Sequence, residues 1–194
     1  MTGHLSRRKF FGLGASALTA AAGIALTGGP ALAALPRSGL VLPQDRSLSF
    51  YNLHTGESLK TTYWEGGEAV PEALGQINYI LRDFRTDTEH PIDVKLLNLL
   101  MALHRRMDSS EPFNVISGYR SPQTNAMLRR DSSGVAKHSL HMDGMAIDIR
   151  LPGRSLKSLH TAALKMQRGG VGYYPASDFV HVDVGRVRHW GPMA

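Results

Sequence analysis

The chain has 194 residues, no cysteine and a formal net charge of +6 at neutral pH. That length supports one modest domain with its own core and excludes two catalytic domains side by side. Without cysteine there is no disulfide framework, so stability beyond the core has to come from elsewhere, a bound metal included.

Ser6-Arg7-Arg8-Lys9-Phe10-Phe11 opens the chain, followed by an Ala-, Gly- and Leu-rich run and by Ala31-Leu32-Ala33, with small residues where a signal peptidase inspects them. Residues 1–33 read as a twin-arginine export signal, which sends a folded protein toward the periplasm or cell wall. A permanent membrane span fits less well, because Phe10 to Leu26 is diluted by Gly and Ala and is short for a bilayer. Membrane contact is then expected only through an uncleaved signal. Removing Arg7, Arg8 and Lys9 takes the charge from +6 to +3. Nucleic-acid binding rests on a pI near 9.8 alone, without a recognition motif, and is not expected.

Residues 34–46, with Pro36, Gly39 and Pro43, read as a linker, which leaves 47–194 as the folded domain. Residues 47–64 alternate about His54-Thr55-Gly56-Glu57 and predict a β-hairpin. Leu74, Ile77, Ile80, Leu81 and Phe84 recur at helical spacing and predict a helix from Pro71 to Phe84, with proline suited to its first turn. Asp93 is placed to cap a second helix, whose Leu96, Leu97, Leu99, Leu100, Leu103 and Met107 make a wide apolar face. "FNVISGY" at 113–119 reads as a strand, and Ser121-Pro122 opens a third helix. After a Ser/Gly loop at 132–134, "AIDIRL" is a strand, Ser155 caps a helix to Gln167, and "VGYYP" and "FVHVDVG" supply two more strands. The order is α+β: a single small domain with a central, mainly antiparallel sheet flanked by helices. His54, His90, His104, His160 and His189 lie outside any motif and read as surface residues.

Taken alone, a His and an Asp seven residues apart mean little. Here they sit in a lattice, Ser139-x-His141-x-x-Gly144-x-Ala146-x-Asp148, followed downstream by Phe179-Val180-His181-Val182-Asp183. This lattice resembles that of the zinc peptidases of the D-alanyl-D-alanine carboxypeptidase type, in the superfamily shared with lysostaphin-like enzymes and the hedgehog signalling domain. The likeness is greatest to the exported murein endopeptidase branch and runs from about residue 47 to Trp190. It implies a hedgehog/D-Ala-D-Ala-peptidase-like fold and a zinc ion held by His141, Asp148 and His181. Two neutral imidazoles and one carboxylate would leave zinc a net positive charge and an open fourth position, as catalytic zinc requires to activate water. For any one of these residues a surface histidine or a ladder aspartate is the simpler reading, and it is the three together that favour the metal. His138 stays outside the ligand set, as a partner of a ligand or an exposed residue.

Ser117-Gly118-Tyr119-Arg120-Ser121 resembles the family segment whose arginine points into the active site. The resemblance gives Arg120 the polarised carbonyl or the substrate, with Ser117, Tyr119, Gln123 and Asn125 as candidate groove residues beside it. Tyr174, next to the later motif in sequence, is a further candidate to bound the cleft, against the commoner reading of a strand aromatic as core. In the related dipeptidases a Glu three residues before the last zinc histidine takes the proton. Here that position is Asp178, the expected base, with Asp183 on the same strand face as His181 as its support or as a ligand-orienting acceptor. The expected function is zinc-dependent hydrolysis of peptide bonds in peptidoglycan stem peptides, foremost as a cross-link endopeptidase in wall remodelling. A D,D-carboxypeptidase and a non-catalytic, zinc-stabilised wall-binding protein are the alternatives, since zinc also stabilises a fold.

Overall fold

A computed structural model describes residues 42–131 and 134–192. The expected export signal and most of the expected linker lie outside these residues. Arg46 already belongs to the first strand, so the lead-in ends at residue 45 rather than 46.

The first two strands, β1 (Arg46–Asn52) and β2 (Ser58–Glu65), form the expected antiparallel hairpin. Its turn is held by Asn52, whose Oδ1 accepts the backbone N–H groups of His54 (3.0 Å) and Thr55 (3.3 Å). A two-residue strand β3 (Glu68–Ala69) follows, and then α1 (Pro71–Ile80), which stops four residues short of the expected Phe84. The carbonyls that would continue this helix serve other segments. Ile80 O accepts from Asn52 Nδ2 (2.9 Å), and Leu81 O accepts from the N–H of Tyr119 (2.8 Å). Phe84 instead stacks on His54, with ring centroids 3.9 Å apart.

Helix α2 (Val94–Arg106) begins where Asp93 accepts the N–H of Lys95 (2.7 Å), and α4 (Leu156–Met166) where Ser155 Oγ accepts that of Ser158 (3.1 Å), both as expected. Between them lie β4 (Phe113–Ser117), α3 (Pro122–Asp131) and β5 (Ala146–Arg150). The chain closes with β6 (Gly170–Tyr174), β7 (Phe179–Asp183) and the unanticipated three-residue β8 (Arg188–Trp190).

The strands make one eight-stranded sheet in the order β3-β2-β1-β4-β5-β7-β6-β8. Only β1–β4 and β6–β8 pair in parallel, so the sheet is mainly antiparallel. Partners in register share a face, which sorts the sheet cleanly. Phe50 lies beside Phe113, Val115 beside Ile149, Ile149 beside Val180 and Ile147 beside Val182. All are buried in one core with Leu96, Leu97, Leu100 and Leu103 of α2 and Leu159 of α4. Each such side chain contributes about 1.5–3 kcal/mol by leaving water.

His104 and His160, expected at the surface, are buried on this helix-covered side. His104 stacks on Phe113 and its Nε2–H donates to Glu111 O (2.6 Å), and His160 stacks on Tyr173. No helix among the described residues is long and apolar enough to cross a membrane. The opposite face of the sheet's centre carries the polar residues of β5 and β7.

Candidate metal centre

Strands β5 and β7 run antiparallel with Asp148 opposite His181, so both side chains rise from adjacent positions on the face away from the helices. His141 joins them from a 3₁₀ turn, Leu140–Asp143, that precedes β5. Ser139 caps that turn by accepting the N–H of His141 (3.4 Å). Gly144 ends it at φ +64, where a Cβ would also run into the carbonyl oxygen of Pro91. The glycine of the lattice is therefore fixed twice, by its left-handed backbone and by close approach.

Three atoms meet at the centre of this arrangement. His181 Nδ1 lies 2.9 Å from Asp148 Oδ1, His141 Nε2 lies 3.3 Å from the same oxygen, and the two nitrogens are 3.1 Å apart. The far nitrogen of each ring faces an acceptor: His141 Nδ1–H donates to Gly118 O (2.7 Å) and His181 Nε2–H to Asp183 Oδ2 (3.1 Å). Protons on those outer nitrogens leave both inner nitrogens with lone pairs aimed at each other and at a carboxylate oxygen. Either a proton on His181 Nδ1 or a cation placed against all three atoms satisfies such a buried triangle, and the three residues are close enough together to hold a metal ion. The edges of the triangle suit the ion, because metal bonds of about 2.0–2.1 Å in a tetrahedron put ligand atoms roughly 3.3 Å apart.

The electrostatics follow from burial and from these mutual contacts. Burial alone would raise the Asp148 carboxyl, but the charges and hydrogen bonds of His141 and His181 hold it well below the usual carboxylate range. Burial pushes His141 down, which keeps it neutral, with Asp148 only partly offsetting this. Burial also acts to lower His181, yet its hydrogen bonds to Asp148 and Asp183 leave it raised overall. Arg120 sits behind Asp148, with Nη2 3.8 Å from Oδ2, and its buried Nε has no hydrogen-bond partner.

These residues floor a cavity of about 530 Å³. His138, Leu140, Tyr174, Phe179, Arg188 and Trp190 also line it. Tyr174 therefore stands where the sequence suggested, with its hydroxyl accepting from Trp190 Nε1 (2.7 Å). The other expected groove residues do not line the cavity. Ser117 lies in β4 opposite Asp148 without reaching the cavity, and Tyr119 is buried against His90, ring centroids 4.7 Å apart. Gln123 lines a separate depression with Arg85 and Arg130. Asn125 is buried behind the wall and donates to the carbonyls of Ala136 (3.1 Å) and Lys137 (3.4 Å).

The two carboxylates expected to move protons are both engaged. Asp178 occupies a left-handed position at φ 52, and its carboxylate pairs with Arg150 instead of turning to the histidines. Asp183 is fully buried and accepts from His181, from the N–H groups of Gly170 and Gly185 (2.9 Å each) and from Arg188. With both oxygens taken up in this way its contact with His181 fits the ligand-orienting role better than proton transfer. Arg188 was missed because it lies beyond the motif on a strand too short to show periodicity. The one available signal was the position of Asp183, a buried carboxylate two residues after a ligand histidine, which calls for a cationic partner.

Comparison with known proteins places this geometry in a family. The family described as Peptidoglycan L,D-endopeptidase MepK matches residues 41–190. Peptidoglycan L,D-endopeptidase MepK of Escherichia coli (strain K12) is 43% identical over 185 residues, covering 95% of this chain and 97% of that protein. The protein of the same name from Shigella flexneri matches equally, at 43% over 185 residues. Probable peptidoglycan L,D-endopeptidase MepK of Haemophilus influenzae is 39% identical over 189 residues, covering 95% of each chain.

Proposed function

The chain belongs to the Peptidoglycan L,D-endopeptidase MepK family of M15-type peptidases, and from that premise we propose that it hydrolyses L,D peptide bonds in peptidoglycan cross-links with a zinc ion held by His141, Asp148 and His181. The observation that carries the reading is the convergence of His141 Nε2, His181 Nδ1 and Asp148 Oδ1 within 3.3 Å of one another. Zinc bound there would polarise the scissile carbonyl and bring the pKa of water down to about 7.

The chain's own residues provide the rest. The outer hydrogen bonds to Gly118 O and Asp183 orient both imidazoles with the inner nitrogen turned toward the metal position. The Arg120 guanidinium borders the cavity and offers an N–H to the substrate carbonyl oxygen, a bond that strengthens as that oxygen becomes negative. Burial lowers Arg120 from its ordinary value, with Asp148 opposing, but the group remains a cation. Tyr174, Phe179 and Trp190 give the cleft an apolar wall that limits water around the bond. A substrate in the wall supports a working location in the periplasm or facing the cell wall, to which an export signal at residues 1–33 would deliver the protein.

The test is mass spectrometry of purified cross-linked muropeptides incubated with residues 34–194, with and without a chelator and with His141→Ala alongside. The reading expects cross-linked dimers to disappear only with metal and His141 present, with product masses of cleavage at an L,D bond. Unchanged dimers from folded, zinc-loaded protein would leave the wall-binding alternative, and loss of a terminal D-alanine alone would indicate a carboxypeptidase.

A further inference from the structure

The strand that sequence patterning does not reveal, β8, reaches the metal centre through one side chain. Asp183 is 0% exposed and is gripped at both oxygens by Arg188, Nη2 to Oδ2 at 2.7 Å and Nη1 to Oδ1 at 3.1 Å. Oδ1 also takes the N–H groups of Gly170 and Gly185, so the plane of this carboxylate is pinned on three sides. The remaining direction, from Oδ2, is the hydrogen bond to His181 Nε2. Arg188 is itself held, with Nη1 donating to Arg186 O (3.0 Å) and the guanidinium 5.0 Å over the Trp190 ring. The register that brings β8 here depends on close approach. A Cβ at Gly172 would meet the Trp190 indole at 2.6 Å.

We propose that Arg188 is a positioning residue for the metal centre: through Asp183 it fixes the ring of His181 with Nδ1 toward Asp148 and His141, and so sets the affinity of the site for zinc. The inference rests on the reading of those three residues as metal ligands. Its physical basis is that a lone carboxylate on a flexible side chain rotates and carries its hydrogen-bonded imidazole with it. A two-point guanidinium grip removes that freedom. The grip also supplies the positive partner without which a fully buried carboxylate is costly. The rival role is direct contact with substrate, because Arg188 also borders the cavity with its side chain one third exposed.

Zinc affinity separates the two roles without reference to hydrolysis. Metal-free wild type, Arg188→Lys, Arg188→Gln, Asp183→Asn and the double variant Asp183→Asn/Arg188→Gln are titrated against a chromophoric chelator competing for zinc, with thermal melts of the metal-free proteins reporting the fold. Positioning predicts that Arg188→Gln weakens zinc binding by roughly ten- to a hundredfold. Arg188→Lys recovers part of the loss, and it keeps the charge should the glutamine variant fail to fold. Because Arg188 acts through Asp183, the double variant binds zinc no more weakly than Asp183→Asn alone. Wild-type affinity in Arg188→Gln, or losses that multiply in the double variant, would overturn the inference. A raised KM with zinc affinity unchanged would overturn it in favour of substrate contact. A wild type that binds no zinc defeats the metal-centre reading itself, and is told apart from failure of the Arg188 role by that first titration.

Discussion

Arg120 is the residue at which the site is least self-sufficient. Its guanidinium borders the cavity beside Asp148, while its buried Nε lacks a partner, a state that costs about 1–3 kcal/mol. Arg120→Ala is therefore expected to lower kcat on a cross-linked muropeptide by about 10²–10³-fold while zinc content stays at the wild-type level. Asp178→Asn is expected to leave kcat near wild type, since the carboxylate already pairs with Arg150, and a large loss in the same assay would restore it as the base. The three candidate ligands were legible through the family resemblance carried by the 139–148 lattice and the 179–183 segment, and the φ of +64 at Gly144 and its contact with Pro91 explain why that lattice position has no side chain. The acid–base roles were not legible. Position 178 relative to His181 could be counted in the sequence, but the turn that hands its carboxylate to Arg150 depends on tertiary neighbours.

Among the elements, those defined by their own periodicity and caps were readable. The hairpin, α2 behind Asp93 and α4 behind Ser155 begin where local chemistry says they should. Two features set by distant partners were not. Helix α1 stops at Ile80 because Asn52 and Tyr119 take the carbonyls of Ile80 and Leu81, and this also anchors the segment carrying Arg120. Strand β8 has three residues and pairs in parallel with β6, so it leaves no alternation to detect. Asn52 is buried and joins the hairpin turn to the end of α1, so Asn52→Ala is expected to lower stability by about 1–3 kcal/mol in urea unfolding. Asp93→Ala, which removes only a cap, is expected to cost about 1 kcal/mol. A smaller loss for Asn52→Ala than for Asp93→Ala would show that the link from hairpin to helix carries little.

At the scale of the molecule, a single sheet divides two tasks: its helix-covered face holds the core, and its other face positions the metal centre. Acid is expected to weaken the fold partly through Asp83, buried at the end of α1. Burial would raise its carboxyl, but bonds from Ser121, Thr124 and the backbone N–H groups of Ser121 and Arg85 hold it below its ordinary value. A carboxyl lowered on folding stabilises above its unfolded pKa of about 3.9, and the contribution disappears as pH falls through the folded value. The stability gap between wild type and Asp83→Asn is thus expected to be full at neutral pH and to close in acid, which urea titrations at several pH values would follow. The central claim is that one zinc at His141, Asp148 and His181 performs the hydrolysis. It is tested most directly by titrating zinc into chelated protein while following cleavage of a cross-linked muropeptide. Activity should rise linearly, saturate at one zinc per chain and be absent in His181→Ala; full activity in the metal-free protein, or in His181→Ala, would contradict it.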